Sequence, residues 1–223
     1  MRIRWFGQSA FLIAGSDASV MLDPIGDTAA FRGRVRFDYP PVTGVAADLV
    51  LVTHDHRDHN GVAGIEGDPA VIRVAGTHAS PVGEVVGVAG EHDDVAGTRR
   101  GPNTLFSFAL DGIRVAHLGD HGQSVLRPEQ AVALGPIDLL FVPVGGGPTV
   151  GAEGAATIVE RLDPRWVVPM HYRTPAVDFL DPVDPFLEHF EAVTRCEGAE
   201  VEVPGAPNGV LVLSPPRRLA RSA

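Results

Sequence analysis

Six consecutive residues constrain this chain more than any other stretch. His54-Asp55-His56-Arg57-Asp58-His59 carries three imidazoles and two carboxylates. The run Asp48-Leu49-Val50-Leu51-Val52 precedes it and reads as a buried strand. Asn60-Gly61-Val62 follows and reads as a turn into a short helix. The cluster therefore sits at a strand end, where side chains are released from strict alternation and can converge on one point. Three His and one Asp within reach of each other suit one or two borderline-soft divalent ions such as Zn²⁺.

The chain has 223 residues, 44% hydrophobic and 21% charged, which is enough for a sizeable core. No linker is long enough to separate domains, so residues 1–223 read as a single domain. A formal net charge of −10 argues against a general nucleic-acid binder. All 18 basic residues are arginine, which removes lysine chemistries such as the P-loop cation and the Schiff base. Cys196 is the one cysteine, so no intrachain disulfide forms, and it reads as a buried or neutral thiol. The N-terminus lacks a long apolar leader and no stretch approaches a membrane span, which makes the cytoplasm the expected location.

Along the chain, residues 2–6 and 10–14 read as strands joined by Gly7-Gln8-Ser9, and 18–22 as a third strand ending at Asp23-Pro24. Residues 25–47 lack a clear period. Their alternating Arg32, Arg34 and Arg36 are either a solvated edge or a clamp for an anionic substrate. Further strands are expected at 70–75, 83–90, 104–110, 113–118, 137–144, 166–170, 199–203 and 209–213, with an Asp111-Gly112 hairpin. Helices are expected from Pro128 to about Gly135, over 152–162 and over 184–193. Several strands deliver chemistry at their ends: His92, then Asp120 in His117-Leu118-Gly119-Asp120-His121, then His171. With the first cluster these make seven N/O donors, more than one tetrahedral ion uses.

The order His54-x-His56-x-Asp58-His59, His92, Gly119-Asp120, His171 resembles the metallo-β-lactamase superfamily. Trp5-Phe6-Gly7, Arg100-Gly101-x-Asn103, Val142-Pro143-Val144-Gly145-Gly146 and Pro169-Met170-His171-Tyr172 resemble a narrower branch. That branch is the small metal-dependent hydrolases related to the L-ascorbate-6-phosphate lactonases, and the likeness spans about residues 2–215. The resemblance implies an α+β fold, a four-layer αββα sandwich of two mixed sheets with helices outside. It implies two divalent metal ions, Zn before Mn or Fe. His54, His56 and His92 would hold the first, Asp58, His59 and His171 the second, and Asp120 would bridge. Asp23 would support the loop from behind.

The activity so implied is hydrolysis of a small ester, lactone or related substrate, an anionic one included, by a bridging hydroxide. Asp58 and Asp120 would be the catalytic carboxylates. A phosphodiesterase or nuclease of the same superfamily and a non-catalytic metal-binding member stand as alternatives, and a homo-oligomer is open. Arg57 stands where relatives often carry an aromatic residue. His78 is the rival to His92, His117 reads as buried and hydrogen-bonded, and His121 as either at the site's mouth or on a solvated turn. His189 and Tyr172 read as structural, and Gly145–Gly147 as a close-approach loop or a simple turn.

Overall fold

A computed structural model describes residues 1–31, 33 and 35–216. Arg32, Arg34, Arg217 and Arg218 lie outside the described residues, and so does most of the arginine alternation in the long loop. Sixteen strands and three α-helices occur among the described residues. The first half holds β1 (Arg2–Gly7), β2 (Ala10–Ala14), β3 (Ser19–Leu22), β4 (Val45–Ala46), β5 (Leu49–Leu51), β6 (Ile65–Glu66), β7 (Ala70–Ile72), β8 (Gly76–Ser80) and β9 (Gly83–Glu91). The second holds β10 (Pro102–Leu110), β11 (Ile113–His117), α1 (Pro128–Leu134), β12 (Leu139–Pro143), α2 (Ala152–Leu162), β13 (Trp166–Met170), α3 (Asp184–Leu187), β14 (Val193–Arg195), β15 (Glu200–Glu202) and β16 (Gly209–Val212).

Two mixed sheets form. The six-stranded one runs β15-β1-β2-β3-β5-β7 and the eight-stranded one β14-β16-β13-β12-β11-β10-β9-β8. A parallel β4–β6 pair stands apart. The inner faces share one cluster of buried side chains, with Ile3, Phe11 and Leu51 from the first sheet and Phe106, Phe141 and Val168 from the second. Phe11 and Phe141 meet across the interface with ring centroids 4.6 Å apart. Each such buried aromatic contributes about 1.5–3 kcal/mol relative to exposure.

The expected α+β sandwich is the observed one, with its outer layers differently built. The three helices lie along the second half's chain, and α1 packs on β9 and β10 while α2 packs on β12. The helix α2 buries Ala155, Ile158 and Val159, carries Glu153 in its first turn and Arg161 in its last, and so suits its own dipole. The outer face of the six-stranded sheet is covered instead by irregular chain: Ile25, Tyr39, Val42, Ala176, Val177 and Leu180 pack on Met21, Val50 and Val52. The expected helix over 184–193 is shorter, because Val193–Arg195 is drawn into the sheet beside β16. Phe186 and Phe190 still pack together, tilted with ring centroids 4.8 Å apart. Among the described residues no helix is long and apolar enough to cross a membrane.

The parallel pairings β3–β5 and β11–β12–β13 decide where the chemistry sits. They send the carboxyl ends of these strands to one edge of the sandwich, and Asp23, Thr53, Leu118 and His171 are the residues just beyond them. Two of these exits are made by non-glycine residues in left-handed conformation, Asp23 at φ 42 and His171 at φ 52. Such backbone costs on the order of 1–3 kcal/mol and persists where surrounding structure over-determines it.

Candidate metal centre

The loop after β5 is pinned before it presents any ligand. The Gly26 and Gly61 N–H groups donate to the Arg57 and Pro24 carbonyls at 2.8 and 2.7 Å, tying residues 24–26 against the loop. His59 N–H closes a turn onto the His56 carbonyl at 3.0 Å. Asn60 donates to Asp55, which is exposed and braces the turn. Beneath the loop, Asp23 is fully buried. It accepts from Thr53 N–H at 2.8 Å, Thr53 Oγ1 at 2.7 Å, His59 Nδ1 at 2.9 Å and His117 Nε2 at 3.1 Å. Burial alone would raise its pKa, but His59 and His117 hold the carboxyl well below the usual carboxylate range.

A carboxylate can only accept, so His59 presents Nδ1–H to Asp23 and keeps its lone pair on Nε2. That nitrogen is buried, has no hydrogen-bond partner among the described residues, and faces Asp58 Oδ2 at 3.6 Å and Asp120 Oδ1 at 3.3 Å. His54 is fixed in the same way through Thr53. The Thr53 hydroxyl donates to Asp23 and so accepts from His54 Nδ1 at 3.0 Å, which leaves the His54 lone pair on Nε2. His54 Nε2 lies only 2.9 Å from His56 Nδ1.

Seven donors converge. One group is His54, His56 and His92, another is Asp58, His59 and His171, and within each the donor atoms lie within 4.8 Å of one another. A third such group, His54, His59 and Asp120, links the two. Asp120, 2% exposed, stands between them. Its Oδ2 is 3.2 Å from His92 Nε2 and 3.3 Å from His171 Nε2. His56 is the exposed member.

At His59 the surrounding carboxylates favour positive charge. Burial opposes protonation of His59, yet Asp120, Asp58 and Asp23 outweigh it and hold its pKa well above the ordinary value. Burial pushes His54 down to about 2, with His59 adding to the effect. Burial likewise lowers His56, helped by His92. A protonated imidazole cannot bind a cation, whereas a divalent ion supplies the same positive charge and satisfies the orphaned His59 Nε2 as well. Donor set, burial and field thus fit divalent metal.

Glycines let these strands approach. Gly119 has φ 54, and a Cβ there would press on Asn103 Oδ1 and Thr53 Oγ1. A Cβ on Gly145 would run into the His171 carbonyl. Asn103 Oδ1 accepts from Asp120 N–H at 3.1 Å while its amide donates to the Leu118 carbonyl at 2.9 Å, fixing the turn that carries Asp120. Ser9, in the β1–β2 turn, donates to Asp120 Oδ1 at 3.3 Å. His92 is held by the Pro148 carbonyl at 3.0 Å from its Nδ1. Next to it, Asp93 accepts from Val95, Gly97, Arg99 and Arg100 N–H, and ties down the loop beyond. Sequence reasoning missed Ser9 and the role of Thr53; the hairpin turn at 7–9 was the available signal, since it lands on the same edge.

Other histidines separate cleanly. His78 sits on edge strand β8, bonded to the Val74 carbonyl at 3.0 Å and outside the cluster, so His92 is the one that joins it. His121 is neither at a mouth nor on a solvated turn: it is fully buried with both ring nitrogens unpartnered among the described residues. Burial, and Arg127 after it, push it down to about 4. His189 is exposed. Tyr172 packs on Trp5 with ring centroids 5.6 Å apart, and its hydroxyl donates to the Leu213 carbonyl at 3.5 Å. Arg36 makes a loose exposed pair with Asp178 at 3.9 Å.

The sequence profile described as Beta-lactamase superfamily domain matches residues 2–171. This chain belongs to the metallo-β-lactamase superfamily. A relative from Thermococcus kodakarensis named UPF0173 metal-dependent hydrolase is 32% identical over 206 residues, 78% of this chain and 85% of its own. One of the same name from Pyrobaculum calidifontis is 31% identical over 221 residues, 88% of this chain and 95% of its own. A Thermotoga maritima crystal structure, described provisionally as a Zn-dependent hydrolase of the metallo-β-lactamase superfamily, superposes with a TM-score of 0.78. It is 32% identical and covers 95% of this chain and 97% of that one.

Proposed function

We propose that residues 1–223 form one metal-dependent hydrolase domain with a dinuclear centre, acting in the cytoplasm on a small ester, lactone or related substrate. The names of the relatives support the metal-dependent hydrolase part of this reading. The observation that carries the rest is the place of Asp120, whose oxygens face His92 from one donor group and His59 and His171 from the other. His54, His56 and His92 would hold one ion, Asp58, His59 and His171 the other, and Asp120 both.

Two divalent ions, most readily Zn²⁺, would supply hydroxide at neutral pH and a positive centre for the developing oxyanion. The chain's own residues do the rest. Asp23 and Thr53 fix the tautomers of His59 and His54. Asp58 would give one carboxylate oxygen to its ion, leaving the other to orient the attacking water and take its proton. Arg57 is exposed in the same loop, where its guanidinium would be open to an anionic group of a substrate. The test is a panel of lactones, carboxylic esters and phosphodiesters assayed before and after chelation. The reading expects turnover of a lactone or ester that chelation abolishes and Zn²⁺ restores. Turnover confined to phosphodiesters, or indifferent to chelation, would overturn it.

A further inference from the structure

The eight-stranded sheet places a histidine in a row that is otherwise apolar. Along β11, residues 113, 115 and 117 alternate onto one face, and Ile113 and Val115 belong to the shared core. His117 is fully buried, paired with Phe106 on β10 and Phe141 on β12. An imidazole in such surroundings is unfavourable unless hydrogen-bonded. Its Nε2 reaches across the sandwich to Asp23 Oδ2 at 3.1 Å, while its buried Nδ1 has no partner among the described residues.

That oxygen also accepts from Thr53 Oγ1 and His59 Nδ1, so three donors share it. Three residues beyond His117 the same chain segment delivers Asp120, which faces His59 Nε2 at 3.3 Å. A closed circuit results: His117 to Asp23, Asp23 to His59, His59 to Asp120, and Asp120 back along the backbone to His117. It is a polar tie between the two sheets, set where the strand carrying Asp120 meets the loop carrying His59.

We infer that His117 is a positioning residue for the Asp58, His59 and His171 cation site, and not for the His54, His56 and His92 site. The inference rests on the two-ion reading above. The first group touches Asp23 only through Thr53, which holds both carboxylate oxygens: its N–H donates to Oδ1, the oxygen His117 does not touch, and its hydroxyl to Oδ2. The His59 ring makes one hydrogen bond among the described residues, and it runs to the oxygen that His117 shares. Removing His117 lets that carboxylate turn, and His59 turns with it.

Chelator-stripped wild type, His117→Leu, His117→Asn and His117→Gln would be titrated with Zn²⁺ by calorimetry. Leu fits the apolar row and removes the donor. Asn keeps polarity but falls short of Nε2, and Gln reaches about as far. Wild type is expected to show two binding events. His117→Leu and His117→Asn should weaken one by about 10- to 100-fold, the range typical for such outer hydrogen bonds, and leave the other unchanged. His117→Gln should restore the weakened event. Unchanged affinity for both ions, or equal weakening of both, would overturn the inference. If His117→Leu does not fold, the Asn and Gln variants decide, and equal behaviour of these two overturns it. Fewer than two events in wild type would instead remove the two-ion reading on which it stands.

Discussion

His59 donates from Nδ1 to Asp23 Oδ2 across 2.9 Å, and both side chains are completely buried. The contact joins a strand end at residue 23 to a loop 36 residues later, and it decides which His59 nitrogen is free to bind a cation. Replacing Asp23 by Ala would orphan Thr53 N–H, its hydroxyl and two imidazole N–H groups together. Each buried orphan costs about 1–3 kcal/mol. We therefore expect Asp23→Ala to lose several kcal/mol of stability and to bind Zn²⁺ at least tenfold more weakly. Denaturant unfolding of the chelated protein, beside a Zn²⁺ titration, checks both parts.

Gly145 lies directly beneath the His171 carbonyl, where no Cβ fits. Gly145→Ala must push the two strand ends apart. The expected cost is about 1–3 kcal/mol, in the range of ordinary overpacking. His171 should be displaced with it, so metal binding at its group should weaken. A thermal midpoint and metal content equal to wild type would show that the backbone yields elsewhere.

Asp111 gives a pH dependence away from the centre. The Ser16 backbone N–H and hydroxyl, and the Met1 ammonium after them, lower its pKa. A carboxyl with a depressed folded pKa contributes stability that is fully present above its unfolded value of about 3.9. The contribution is lost as pH falls through the folded value. Wild type should therefore exceed Asp111→Asn in stability at neutral pH, and the two should converge as the solution is acidified below about pH 4. Denaturant midpoints across that range would show a constant gap if the contacts do not act through the carboxylate.

Much of the centre was legible because its chemistry is local. The spacing within residues 54–59 lies on one turn, and an apolar run before it marks the strand that ends there. His92, Asp120 and His171 also follow apolar runs, so their strand-end placement could be read, while their convergence came only through the family resemblance. Other parts depend on contacts the linear order does not carry. Ser9 meets Asp120 across 111 positions of sequence. His117 was readable as buried and hydrogen-bonded, but its partner, Asp23, lies on the opposite sheet. The cover over residues 25–47 has no period because irregular chain, not a helix, packs there on Met21 and Val50. The segment 184–193 has helical composition, yet pairing of Val193 with Val210 ends the helix early.

We propose that Asp120 is shared by two cation sites, and elemental analysis can decide it. Wild type and Asp120→Ala would be stripped, reloaded with Zn²⁺, freed of excess and measured by plasma mass spectrometry. About two ions per chain are expected in wild type and less than one in Asp120→Ala, because the variant loses a ligand from both groups. Two ions per chain retained in Asp120→Ala, or a single ion in fully loaded wild type, would contradict it.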